Sequence, residues 1–254
     1  MFFVKKTVLL CFALLLMLCG CRKAMSPEQL MREASANLAK IDKLHLRVEM
    51  TADPQDGTEA EPGNLAVMNL YADGLQENTG HLAGDIRFSA DGETLAVEFY
   101  SDGEWVYASV GGEGVRIPVA DTGMEGLLTG VQLPTASELL HEPEVRVEEE
   151  RTLLIYRLQD NAMNSLLEKS MGALLQSILP DGNPVLGDGE IVIVLSEGEI
   201  REITCSMLMM GENPTELQTV IDFLDTTDMR ELTPPEGYGS FPELTINETA
   251  GAGS

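Results

Sequence analysis

Cysteine, positive charge and aromatic rings are all scarce in this 254-residue chain, and each scarcity excludes something. Of four cysteines, Cys11 and Cys19 lie in an N-terminal apolar segment and Cys21 stands directly behind it. If that segment is removed as a leader and Cys21 is modified, Cys205 alone remains and no intramolecular disulfide can form. The fold must then stand on its apolar core. With 44% apolar residues, one domain of about 200 residues can do that. Lys and Arg number 16 against 42 Asp and Glu, a formal charge of −26. Such a deficit excludes nucleic acid, whose phosphates need Lys and Arg, and a flat electrostatic dock on anionic lipid heads. It suits solubility and self-repulsion at a crowded surface. The three histidines, His45, His81 and His141, are widely spread and lack zinc-site spacing. Each reads as a surface or strand residue. No nucleophile elbow, phosphate loop or dinucleotide fingerprint occurs, and no pair of acids has a diagnostic setting. The acidic turns at 53–56 and 181–188 lack the EF-hand pattern. The expectation is a protein that is not an enzyme and holds neither cofactor nor metal. Cys205, in an apolar strand, reads as an inert buried thiol.

A membrane-spanning run is missing too. The apolar stretch from Thr7 to Leu18 is shorter than the ~20 residues a spanning helix needs. Lys5-Lys6 precedes it and the small residue Gly20 follows, which is the layout of a secretory signal. The closing Leu18-Cys19-Gly20-Cys21 resembles the lipobox of bacterial lipoproteins, whose cysteine is acylated and becomes the new N-terminus. The resemblance implies that residues 1–20 are discarded, that Cys21 carries the lipid, and that 21–25 is a tether. The body would then sit on the extracytoplasmic face of the cell membrane. Each buried acyl CH₂ contributes about 0.8 kcal/mol, so two or three chains hold a domain that stands off the surface. A plain secretory signal cut elsewhere is the alternative.

What is abundant is alternation. Ser26-Pro27-Glu28-Gln29 marks a helix start, and Leu30, Ala34, Leu38 and Ile41 recur at helical spacing. From Leu44 the period becomes two: Leu46, Val48 and Met50, then 65–71, then Ile86 and Phe88. Leu95, Val97 and Phe99, Trp105 and Tyr107, and Val115, Ile117 and Val119 continue it. Asp91-Gly92, Asp102-Gly103 and the glycines at 111–114 are hairpin signals. The loops expected are 53–64 and 121–134, and a short helix is expected at 135–140. Strands resume at 145–147 and 153–158. A long helix is expected at 161–179, with Met163, Leu166, Leu167, Met171, Leu174, Leu175 and Ile178 on one apolar face. The last third reads as strands 191–195, 200–210 and 216–224, with Glu197-Gly198-Glu199 as a turn and Pro234-Pro235 as the exit. The sum is an antiparallel meander with two long helices.

That order of a lipobox, a capped helix, a long meander, a mid-chain helix and a closing meander resembles the lipoprotein-carrier superfamily. Its members include the LolA and LolB carriers and the mycobacterial LppX and LprG lipoproteins. The resemblance covers about residues 26–235 and includes aromatic strands such as Tyr100-Ser101-Asp102-Gly103-Glu104-Trp105-Val106-Tyr107. It implies an α+β fold, a curved antiparallel β half-barrel of about ten strands with helices on its concave face, and an acylated lipid as ligand. Residues 236–254 would be a flexible tail. Apart from the lipobox, no functional residue of a carrier maps onto this chain one by one.

The residues themselves allow a cavity without requiring one. Strands 191–195 and 207–210 are apolar on both faces, which suits either a covered core strand or one whose second face meets a ligand. Thirteen methionines supply adaptable apolar surface. The candidate lining is Met163, Leu167, Met171, Leu174, Ile178, Met207 and Met209. Two functions stay open: binding of a lipid or acyl chain, or a filled-core interaction or sensor module docking an envelope protein. Trp105 and Tyr107, on one strand face, read as core rather than as a stacking platform.

Overall fold

In the computed structural model of the chain, residues 25–54, 63–76, 80–90, 93–122, 143–158, 185–210, 214–227, 229 and 231–244 are described. The predicted helices at 135–140 and 161–179 lie outside them.

Helix α1, Pro27–Leu38, starts where the sequence calls for it. The Gln29 backbone N–H donates to Ser26 Oγ at 3.3 Å, and the Ser26 N–H donates to Gln29 Oε1 at 3.0 Å. This reciprocal cap satisfies two of the amides that a helix start leaves without partners. Met31 and Ala34 are its buried residues.

Everything else described is organised around one sheet of eleven strands. They are β1 Leu44–Pro54, β2 Gly63–Asp73, β3 His81–Ala90, β4 Glu93–Ser101, β5 Trp105–Val110 and β6 Glu113–Pro118. After the four-residue helix α2, Val119–Thr122, come β7 Glu144–Glu148, β8 Arg151–Leu158, β9 Val185–Ser196, β10 Glu199–Met210 and β11 Thr215–Phe223. The spatial order is β6-β5-β4-β3-β2-β1-β11-β10-β9-β8-β7. The chain therefore starts at the centre, walks out to one edge, restarts at the other edge and walks back. The first and last strands meet in the middle, with Val48 opposite Ile221. Every pairing is antiparallel and the two edge strands, β6 and β7, do not join, so the sheet is open.

Tight turns carry the backbone conformations their residues tolerate. Gly111 and Gly112 sit at φ 58° and 88°, and Glu197 and Gly198 at 54° and 78°. Two consecutive positive values in a two-residue hairpin match the twist of the flanking strands. Gly198 also accepts the side chain of Asn37 on its carbonyl at 2.9 Å, which ties α1 to the β9–β10 turn.

Register sorts the side chains onto two unlike faces. One row runs Val110, Val97, Ile86, Met68, Val48, Ile221, Ile203, Ile193, Leu154 and Val145, each opposite the next across the sheet. On the other face a row runs Glu98, Asp85, Asn69, Arg47, Asp222 and Glu202. Because the side-chain period is two, a slip of one residue would exchange these rows, so the register is strongly specified.

Two cores stand on the apolar face. Under α1, Met31 and Ala34 pack with Leu154, Tyr156, Ile191, Ile193, Leu195, Ile200 and Met207. Beside it Leu44, Leu46, Leu70, Ala72, Leu82, Phe99, Val106 and Val119 form the second, and Phe223 packs against both.

The segment after Pro235 is not the free tail expected, as far as Leu244. It turns through a 3₁₀ element, Tyr238–Ser240, and joins β6 by a parallel bridge between Arg116 and Glu243. The Arg116 N–H donates to the Pro242 carbonyl and the Leu244 N–H to the Arg116 carbonyl, both at 2.9 Å. Phe241 lies on Gly114, where a Cβ would run into its ring. Tyr238 meets Tyr107 edge-on at 5.0 Å between ring centres, and the Arg116 guanidinium lies over Trp105 at 4.5 Å. Trp105 and Tyr107 thus receive this arm on the polar face, rather than serving the apolar core.

Candidate functional site

The apolar face is only partly covered by described residues. α1 roofs β8 to β10, but toward the opposite end of β3 to β5 the same face carries Phe88 at 37%, Leu95 at 51% and Val110 at 40% exposure. Leu95 and Phe88 are register partners, next to the Val97 to Val110 pair. An apolar surface thus runs continuously from core to solvent.

Between the two cores lies a groove of about 360 Å³. Ala34 and Leu38 of α1, Ile41, Leu44 of β1, Ile200 of β10 and Phe223 of β11 give it an apolar floor and walls. Lys43, Glu199, Arg201 and Asp225 stand at its rim. Arg201 pairs with Glu199 at 2.9 Å, and Asp225 is held below the usual carboxylate range by hydrogen bonds from Thr227. Asn37 and Thr226 also line it, so apolar and polar side chains share the groove.

Met207 is 7% exposed within the α1 core, and Met209 packs against the same core from a half-buried position. Met207 also borders a second cleft of about 430 Å³ with Gly189, Ser206 and the charged Arg157, Asp188, Glu190 and Glu216. Cys21, Met163, Leu167, Met171, Leu174 and Ile178 lie outside the described residues. The double-sided apolar strand 191–195 resolves into Ile191, Ile193 and Leu195 in the α1 core and Val194, buried on the other face opposite Leu153. Cys205, half-buried beside the same core, has its thiol pushed up to about 11 by desolvation, so it is protonated at neutral pH.

Sequence reasoning missed the groove. Its lining comes from three separated segments, 34–44, 199–201 and 223–226, and nothing local says that β1 pairs β11. The usable signal was the stripe Ala34, Leu38 and Ile41, whose apolar side continues past the helix end into β1.

Among the described residues no helix is long and apolar enough to cross a membrane, and no group of three His, Cys, Asp or Glu could hold a metal ion.

No family model and no curated protein matches the sequence. Two solved structures are similar to it at 12% identity. LprF from Mycobacterium bovis aligns with a TM-score of 0.38 over 83% of this chain and 98% of its own. A putative outer membrane lipoprotein-sorting protein domain from Vibrio parahaemolyticus aligns with a TM-score of 0.28 over 80% and 93%.

Proposed function

We propose that this chain is a lipid-anchored, extracytoplasmic binding protein of the cell envelope, tethered through acylated Cys21, whose sheet curves as a half-barrel and takes an acyl chain on its apolar face. One observation carries the reading: an apolar row crosses ten of the eleven strands, from β5 to β7, yet that face holds a groove of about 360 Å³ and a solvent-facing end at Phe88, Leu95 and Val110. Helix 161–179, with its Met and Leu stripe, would be the remaining cover. Binding, not catalysis, is the activity.

The alternative, a filled interaction module, is favoured only by the closely packed core under α1, where Met207 is buried. One titration separates the two. The full chain, purified in detergent and stripped of lipid, is titrated with a fluorescent fatty acid such as cis-parinaric acid. Saturable uptake that falls at least tenfold in Leu38→Trp, which fills the groove, supports acyl binding. Absence of uptake, or uptake indifferent to that substitution, removes it. Anchoring is tested by Cys21→Ser: the acyl mass on the protein should vanish and membrane recovery should fall.

A further inference from the structure

The polar face holds a third cavity, of about 600 Å³, between β1 to β4 and the returning segment 225–235. Its floor is set by register. Tyr71 of β2, Ala83 of β3 and Tyr100 of β4 stand in one row, so a methyl group separates two rings whose strands are about 10 Å apart. That spacing leaves a slot one small group wide. His45 of β1 stacks on the outer side of Tyr71 at 4.4 Å, Tyr107 of β5 stands on the outer side of Tyr100 at 6.3 Å, and His81, two residues from Ala83 on β3, lies alongside Tyr100 at 6.1 Å. The next row carries Asp85 directly opposite Glu98. Two like charges in a cross-strand pair destabilise a sheet, so stability does not account for them. Asn69 and Arg87 engage Asp85, at 3.1 Å and 3.5 Å, while Glu98 stays exposed at the slot. Asp225 and Glu231 add charge from the roof, where Met229, Leu232 and Pro235 supply apolar cover. No Lys or Arg occurs among the described lining residues.

We propose that this slot binds a small organic ammonium ion. A methylated ammonium presents apolar surface with diffuse positive charge, which is what paired aromatic faces beside carboxylates recognise. An anion would be repelled, and a bare metal ion would gain nothing from the rings. The slot lies on the sheet face opposite the acyl groove and does not depend on it.

The test is calorimetric titration of the full chain, in a maltoside detergent, with choline and with its neutral isostere 3,3-dimethylbutan-1-ol. Choline should bind at least about tenfold more tightly, and Glu98→Gln should weaken it about threefold to fivefold. Ala83→Phe, which plugs the slot, should abolish choline binding while cis-parinaric acid titrates as before. Should that variant melt early, Tyr71→Ala serves instead, with a loss of about tenfold. Glycerophosphocholine identifies the source of the ammonium: binding equal to choline assigns a lipid headgroup, weaker binding a free cation, since its phosphate meets the carboxylates. Equal affinity for choline and the isostere, or choline binding that survives both Ala83→Phe and Tyr71→Ala, would overturn the proposal.

Discussion

Gly114→Ala should undock the returning arm without unfolding the sheet. The arm is held at β6 by few contacts. Burial of half the Phe241 ring is worth about 1–2 kcal/mol, and the two main-chain hydrogen bonds through Arg116 about 1 kcal/mol each. The guanidinium on Trp105 adds roughly 0.5–1 kcal/mol, and the Arg116–Glu243 pair, at 3.5 Å and half in solvent, adds less. Together these hold the docked state by roughly 4 kcal/mol, so about one molecule in a thousand is open. A methyl at Gly114 collides with the ring and removes at least that contact, with some distortion of the adjoining bonds. The expected loss is roughly 2–3 kcal/mol, or a fall of about 30- to 150-fold in amide-exchange protection. The amides to follow are Leu244 and Arg116, whose bonds exist only when the arm is docked. Val48 and Ile221, at the centre of the sheet, should exchange as before. In a Phe241→Ala background the glycine substitution should cost almost nothing more, since the collision has gone. Equal costs in the two backgrounds, or a parallel loss of protection in β1 and β11, would refute this account of the docking.

Three further outcomes follow from single side chains. Tyr156 is 2% exposed and its hydroxyl finds no hydrogen-bond partner among the described residues, so Tyr156→Phe should leave the melting temperature unchanged or raise it, by up to about 1 kcal/mol in stability. Asp222 has its carboxyl raised above 3.8 by desolvation, then by Glu202 and Glu49. A carboxyl raised in the fold favours the folded state once protonated and loses that contribution as pH climbs through its folded value. Asp222→Asn should therefore raise the melting temperature at pH 7, with the advantage shrinking toward pH 4 and below; an advantage that grows on acidification would contradict the assignment. Cys205, pushed up to about 11 by burial, should react with iodoacetamide at pH 8 far more slowly in the folded chain than in urea, with peptide mass mapping as the readout.

The strands were legible because each alternates, and alternation is a local property. Leu44 to Met50 and Leu95 to Phe99 announce which of their sides is apolar with no reference to a partner. Their ends were not legible. β1 and β2 extend to Pro54 and from Gly63, taking up residues whose Pro, Gly and acid content had signalled loop, because β1 pairs with β11 out to Pro54 and with Gly63 and Asn64 of β2, a pairing that composition cannot foresee. Val119, placed in a strand by its apolar spacing, opens a helical turn after Pro118, since proline ends the ladder on β6. The arm was misread for a related reason. Pro234-Pro235 does mark an exit, but Tyr238 and Phe241 follow it in a chain with only 5% aromatics, and each finds a seat on β5 or β6.

The join of β1 to β11 is what gives the molecule both candidate sites. Without it the chain is two separate meanders, each with one greasy and one polar side and no reason to share an orientation. Val48 opposite Ile221 aligns the greasy sides, so that α1, resting on β8 to β10, borders a groove floored by β1 as well. The same join sets Arg47 beside Asp222 and carries the chain onward across the polar side, where residues 225–235 can only pass over β1 to β4 before reaching β6. The groove and the slot therefore share a hinge point near Leu224, whose N–H donates to the His45 carbonyl at 2.9 Å. His45 in turn backs Tyr71, and Asp225 borders both cavities.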